Sequence, residues 1–450
     1  MKALEKVEKR FGAAQGTIFA VAAAFIVKGI GALYKIPLYN ILGDYATGVY
    51  GMVFPLYAFL LCLSGSGIPS ALTKMISDGY CAKKVIKKTF AVFCTIGLFF
   101  SVLLFAFAGS IAKFQGNSDA AILYRAIAPS VFIVGCIAVF RGYFQGLSNM
   151  RITAFSQLLE QGIRAVIGLV GAYLLPISEL NKAFFAVLCI TFSELAALVY
   201  CFIRYKKKSK LNESENEKEL SLKELFSYVL PLTLSAVLIP LSGVAEGFIA
   251  MRALNNLGDV GTAYYGLYVG ATETIISLPA AVLYPLASGF LPEMHNEKVE
   301  GRCLLFTSIG AFCAGLFVFL FPDFIIGVLF FGVRYKSILK TLLKISSLNI
   351  LLLPVLQTLS VVMLSKGCQS RAFLNNAAGC VVKIIVCAAL VQKNEIHVFA
   401  LAISDICCYF VALMLNLIYI IYIKRKQGSI QNDYFGGAGN GKGRLIVKSV

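Results

Sequence analysis

Residues 42–51 read LGDYATGVYG, and residues 257–266 read LGDVGTAYYG. Leu, Gly, Asp, Thr, Tyr and Gly recur at the same spacing, and Asn40 matches Asn255 two positions upstream of each block. The offset is 215 residues (257 minus 42), close to half of the 450-residue chain. An internal repeat at this scale means that one structural unit has been used twice. Within each block, Gly43 and Gly258 are placed to end one helix in a left-handed conformation, and Asp44 and Asp259 to cap the next. The same acids are also candidates for ion binding beside a helix terminus.

Outward from these blocks the sequence is dominated by long apolar runs. Hydrophobic residues make up 58% of the chain and charged residues only 14%. A soluble domain averages about 45–50% apolar and about 25% charged. A water-soluble fold of this composition would expose large apolar patches, which a bilayer tolerates. Runs long enough to span fall near 16–38, 47–69, 89–112, 122–147, 153–175 and 181–204. After a polar stretch they resume near 225–250, 263–291, 303–331, 338–365, 372–392 and 396–423. About 20 apolar residues cross a bilayer as a helix. The reading is an all-α polytopic membrane protein of about twelve transmembrane helices in two six-helix lobes. Six crossings per repeat return the chain to its starting side, so the halves are parallel repeats about a pseudo-two-fold axis along the membrane normal.

The +18 formal charge does not point to nucleic acid, because Lys and Arg collect in short segments between apolar runs. With the N-terminus in the cytoplasm, roughly 27 of these cations fall inside and roughly 7 outside, a strong positive-inside bias. Both termini are therefore expected in the cytoplasm, with the protein in the cell membrane. The run from Gly16 is too long for a signal peptide and carries Lys28 at its centre, so it reads as a retained first helix. Residues 1–205 then form the N-terminal lobe, 206–224 a cytoplasmic linker, 225–424 the C-terminal lobe and 425–450 a basic, irregular tail against anionic lipid. Thirteen scattered Cys read as apolar fillers, and two distant His offer no metal site. No GxxxxGK[ST] motif is present for ATP. The expectation is a monomer without cofactor, and not an enzyme. Coupling to the membrane potential, Na+ or H+ stays open.

Charge inside an apolar span costs roughly 2.5–3.5 kcal/mol on insertion scales, so each instance calls for a reason. Lys28 lies midway along the first helix, and Lys35 follows two helical turns later on the same face. Two ammonium groups on one face suit an anionic headgroup such as a diphosphate. The alternatives are that Lys35 snorkels to the interface and Lys28 pairs with a buried acid. Glu160, Glu194, Glu246, Glu273 and Asp405 are the buried-acid candidates. Glu246 and Glu273 either bind a coupling cation or neutralise Lys28. Arg141, Glu160 and Arg164 are candidates for a cytoplasmic gate or for a plain interhelical ion cluster. Pro and Gly interrupt the second, seventh and eighth spans (Gly65, Gly67, Pro69; Pro231, Pro240; Pro279, Pro285), where helices can bend.

The stretch from Lys28 to Leu38 (KGIGALYKIPL), the LGDYATGVYG block and SGIPSALTK at 66–74 together resemble the stage V sporulation protein B-like polysaccharide biosynthesis proteins. FRGYFQGLSNM (140–150), TAFSQLLEQGIR (153–164) and SLPAAVLYPLASGFLPEM (277–294) extend that resemblance. This family lies within the multidrug/oligosaccharidyl-lipid/polysaccharide (MOP) exporter superfamily and is related to lipid II flippases. The resemblance implies two lobes around a V-shaped cleft and the flipping of polyprenyl-diphosphate-linked saccharides for cell-envelope synthesis, with Lys28 and Lys35 as the diphosphate-binding cations. The flippases' second-helix and eighth-helix arginines have no counterpart, since the second helix lacks a cation and the eighth offers Glu273 and Thr274. An ion-coupled exporter of small cationic drugs on the same fold is the alternative.

Overall fold

The computed structural model describes residues 2–208, 221–290, 294, 296–393 and 395–436. Among these it contains helices and no strands. The first lobe consists of α1 (Lys2–Leu61), α2 (Ile68–Ser77), α3 (Ala82–Gln115), α4 (Ala120–Gly146), α5 (Met150–Leu174) and α6 (Glu179–Lys208). The second contains α7 (Leu222–Leu254), α8 (Asp259–Gly266), α9 (Glu273–Gly289), α10 (Glu297–Leu320), α11 (Pro322–Leu329), α12 (Lys336–Ser365), α13 (Gln369–Leu390) and α14 (Phe399–Gly436). Ten helical stretches among the described residues are long and apolar enough to cross a membrane. The first, Gly29–Ser77, holds 49 residues. At about 1.5 Å per residue it would run about 73 Å, more than twice a bilayer core, so it cannot be one straight crossing. Outward-facing Phe99, Phe105 and Phe107 on α3 show how apolar the lipid-side surface is.

The break comes at the repeated motif. Gly43 has φ 73° and ψ −179°, and Gly258 has φ 58° and ψ −136°. The positive φ expected of both glycines is present, but ψ is extended rather than left-handed helical, a region essentially restricted to glycine. The backbone reverses there and starts the next span. The capping role expected of the aspartates is not found. Neither side chain caps the following turn: Asp259 is exposed on α8, and Asp44 reaches across to the other lobe. A local cap needs the acid beside the free N–H groups, and the extended ψ at Gly43 turns Asp44 away from them.

The two motif segments pack directly on each other. A Cβ on Gly48 would lie 2.0 Å from the Thr262 carbonyl oxygen, and one on Gly266 would lie 2.1 Å from that of Asp44. Only glycine permits this approach of two backbones. Here, at what we call the Gly43 end, a single apolar core runs through both lobes, joining Tyr39, Leu42 and Val49 to Leu254, Tyr265 and Phe330. At the far end the core divides. One part gathers α2, α4 and the start of α7 around Leu72, Phe144 and Val229, and another gathers α12 and α14 around Val362 and Ile420. The lobes are thus fused at one end and, apart from the start of α7, separate at the other.

α7 crosses the divide. Its start leans on the first lobe, where the Tyr228 hydroxyl donates to Asp78 at 2.9 Å and Lys74 sits 5.4 Å over the Tyr228 ring. A capping box between Ser221 and Glu224 fixes its first turn. Despite Pro231 and Pro240 it runs unbroken to Leu254. The second span is interrupted where expected, by a π-helical turn at Cys62–Ser66 that contains Gly65, whereas the eighth is interrupted at Leu267–Thr272, before Pro279 and Pro285, which lie inside α9. The tail expected to be irregular from residue 425 is helical as far as Gly436, held where it leaves the bundle by Lys424, 3.1 Å from Glu300. Residues 209–220 of the linker and 437–450 of the tail lie outside the described residues.

Candidate functional site

The divided end leaves a cavity of about 720 Å³ between the lobes. It begins under the sealed end at Leu42 and Thr47, passes Lys35, Glu246, Glu273 and Lys383, and reaches Leu364 near the far end of α12. α1 forms one wall, and α7, α9, α12, α13 and α14 form the others. Its surface is mainly aliphatic and tyrosine side chains with a few polar groups, the composition of a ligand site rather than of an aqueous pore.

Of the cations expected to meet substrate, Lys35 lines the cavity with an exposed side chain. Among the described residues no carboxylate comes within ion-pair distance of it. The side chain of Lys28 lies outside the described residues. Glu273 lines the same cavity, partly buried, from the second lobe.

Glu246 has a partner that the sequence reading did not name. Lys383 on α13 places its ammonium 2.7 Å from Glu246 on α7 and 2.7 Å from Asp405 on α14. The Ser404 hydroxyl donates to Glu246 at 2.8 Å, and the Tyr268 hydroxyl donates to Asp405. One ammonium thus serves two buried carboxyl groups, with Lys383 and Glu246 in the cavity wall. The signal for Lys383 was in the sequence, as a lysine inside the apolar run 372–392, the feature that drew attention to Lys28.

Arg141, Glu160 and Arg164 come together, but away from the cavity. Arg141 donates to Glu160 at 3.0 Å and to the Ser156 hydroxyl at 2.9 Å, and Arg164 lies 3.8 Å from Glu160 and 3.7 Å from Glu194. The Tyr57 hydroxyl donates to Glu194. All of these residues belong to α1, α4, α5 and α6 of the first lobe, and none lines the cavity.

Each lobe therefore contains a tyrosine, an acid and a cation in the same relation. Tyr57, Glu194 and Arg164 form the first set, and Tyr268, Asp405 and Lys383 the second. The tyrosines and the acids are each offset by 211 residues (268 minus 57, 405 minus 194), and the cations by 219 (383 minus 164), near the 215 of the sequence repeat. Tyr268 and Lys383 of the second set line the cavity, and no member of the first does.

The sealed end is strapped as well as packed. The Asn40 amide donates to the Leu329 carbonyl at 2.7 Å, and the backbone N–H of Arg334 donates to Asp44 at 3.1 Å. Asn117 reaches from the first lobe to the Thr262 hydroxyl at 3.0 Å. The Tyr39 ring meets Phe330 edge-on at 5.2 Å. Closed at one end and hollow toward the other, the protein has the form of one state of an alternating-access carrier.

Residues 13–291 match the family described as "Polysaccharide biosynthesis protein". The chain belongs to this family. It is 25% identical over 422 residues to "Stage V sporulation protein B" of Bacillus subtilis (strain 168), covering 87% of this chain and 80% of the relative. Its fold is similar to that of a solved structure titled "Inward-facing conformation of a multidrug resistance MATE family transporter of the MOP superfamily", with a TM-score of 0.67 at 16% identity over 91% of this chain and 99% of the other. It is similar also to "Lipid II flippase MurJ, inward closed conformation", with a TM-score of 0.64 at 13% identity over 91% and 87%. This member of the polysaccharide biosynthesis family is a multi-pass membrane protein with the fold of those transporters.

Proposed function

We propose that this protein moves a polyprenyl-diphosphate-linked saccharide across the cell membrane by alternating access, in the synthesis of a cell-envelope polysaccharide or of peptidoglycan. The observation that carries the reading is Lys35, an ammonium with no carboxylate within ion-pair distance among the described residues, exposed in a cavity whose walls are otherwise mainly apolar and aromatic. Glu273 in the same cavity acts on Lys35 only from beyond ion-pair distance; a diphosphate would make the direct ion pair, and the aliphatic walls suit a prenyl chain. The family and its relative, a stage V sporulation protein B, agree with an envelope substrate. The distribution of Lys and Arg supports an outside Gly43 end with both termini in the cytoplasm, an orientation in which the cavity faces inward. Exposed Lys83, Lys84, Lys87 and Lys88 at the start of α3 then lie where anionic lipid headgroups sit.

An inside-negative potential favours outward movement of an anion. Each charge gains about 2.3 kcal/mol per 100 mV, so a diphosphate carrying about two charges gains roughly 4–5 kcal/mol unless a lysine travels with it. A second reading, export of small cationic drugs coupled to an ion, draws on Glu273, which lines the cavity among tyrosines.

The test is reconstitution of the full chain with a fluorescent polyprenyl-diphosphate sugar, comparing wild type with Lys35→Gln and Lys28→Gln. Translocation by wild type with at least a tenfold loss in Lys35→Gln supports the reading. A wild type that moves a lipophilic cation but no diphosphate lipid decides for the exporter.

A further inference from the structure

Two side chains in the cavity wall have no role in the charge network. Gln357 on α12 and Asn376 on α13 both line the cavity, and the side-chain oxygen of each is buried without a hydrogen-bond partner among the described residues. Such groups are rare in a folded interior, because a dry, unpaired amide oxygen forfeits the bonds it made in water. Gln357 stands eight residues before the end of α12, and Asn376 seven after the start of α13. At about 1.5 Å per residue both are about 10–12 Å from the far end of the bundle. Lys383, fourteen residues into α13, is about 10 Å deeper. The two amides thus share one level, between the ion cluster and the mouth. Ser360, one turn from Gln357, lines that level too, its hydroxyl donating to the Leu356 carbonyl at 2.9 Å. Tyr284 adds an aromatic ring.

We infer that Gln357 and Asn376, with Ser360, form a subsite for the neutral saccharide of the lipid-linked substrate, an assignment that rests on the function proposed above. The chemistry selects the ligand class. Each amide both donates and accepts, as does each sugar hydroxyl, and neither carries charge. A cation would call for a carboxylate and a phosphate for an ammonium. The charged groups lining the cavity lie deeper, where Lys383 is engaged with Glu246 and Asp405. A sugar hydroxyl reaching either amide oxygen would donate the hydrogen bond that oxygen lacks among the described residues. The division of labour follows: Lys35 holds the diphosphate deep in the cleft, and the amides read the sugar nearer the mouth.

The experiment measures equilibrium binding of radiolabelled undecaprenyl-diphosphate-N-acetylglucosamine and of undecaprenyl diphosphate to the detergent-solubilised full chain. Wild type is expected to bind the sugar-bearing lipid about tenfold more tightly than the bare one. Gln357→Leu/Asn376→Leu is expected to lose that preference while keeping the affinity for undecaprenyl diphosphate. If the double variant is not monodisperse, the near-isosteric singles Gln357→Met and Asn376→Leu are read in the same way. Equal binding of both lipids by wild type, or a preference that survives in the variants, overturns the subsite and leaves the flippase reading standing. A wild type that binds neither lipid overturns both.

Discussion

The ammonium of Lys383 lies 2.7 Å from a carboxylate oxygen of Glu246, tying α13 to α7 in the wall of the cavity. Because the same ammonium also neutralises Asp405 at 2.7 Å, its removal leaves two buried acids facing each other without a cation. Breaking a buried pair from one side costs about 3–5 kcal/mol, most of it the desolvated charge left behind. Lys383→Met is expected to lower stability by that order, and Glu246→Gln by less, since Lys383 keeps Asp405. Thermal unfolding of the purified protein in detergent checks the ranking. A Lys383→Met protein that melts with wild type contradicts it.

The seal at the Gly43 end depends on missing side chains. With a Cβ only 2.1 Å from the Asp44 carbonyl oxygen, Gly266→Ala cannot close as the wild type does. Cys380, a cavity-lining thiol, serves as reporter once the other cysteines are replaced. A membrane-impermeant maleimide is expected to reach it only from the far side in wild type, and from both sides in Gly266→Ala. Labelling from one side alone in the variant would show that the helices part without opening the cleft.

Closure is also held by directed bonds. Asp44 accepts from the Tyr39 hydroxyl at 2.6 Å and from the Arg334 N–H at 3.1 Å, so the residue next to the Gly43 reversal grips the α11–α12 connection of the second lobe. Hydrogen bonds to a charged group contribute about 1.5–3 kcal/mol. Asp44→Ala is expected to raise the rate of Cys380 labelling from the Gly43 side by about tenfold or more, with Asn40→Ala showing a smaller rise. Unchanged rates in both would mean that packing alone keeps this end shut.

The fold was legible because its signals are local or periodic. Twenty-residue apolar runs, a repeated LGD with Thr and Tyr-Gly behind it, and cations gathered between spans each have one natural reading in a bilayer. Gly43 and Gly258 were found for the same reason, since the conformation they supply belongs to the residue itself. The site was less legible because its chemistry lies in pairings. Glu246 was visible as a buried acid, yet its partner lies on α13, far off in sequence. Asp44 suggested a cap, because the backbone N–H it accepts from, at Arg334, has no signature of its own. The cluster of Arg141, Glu160 and Arg164 was visible as a set, because i,i+4 spacing and a short connection bring the three together. Which wall it faces is a tertiary fact.

That cluster distinguishes a gate from a lobe brace. Arg164 lies 3.7 Å from Glu194 and 3.8 Å from Glu160, and Arg141 lies 3.0 Å from Glu160, all within one lobe. A gate residue exchanges partners across the cleft as the lobes move, so its loss alters access more than stability. A brace has the same partners in every state, so its loss alters stability and leaves the movement of the surviving folded molecules as it was. Arg164→Met is expected to cost about 3–5 kcal/mol because Glu194 is left unpaired. Arg141→Met is expected to cost less, since Glu160 keeps Arg164. Translocation per folded molecule is expected to stay within about twofold of wild type in Arg141→Met. A normal unfolding temperature together with a large loss of translocation in that variant would instead place Arg141 in a gate, through contacts that form only when the far end closes.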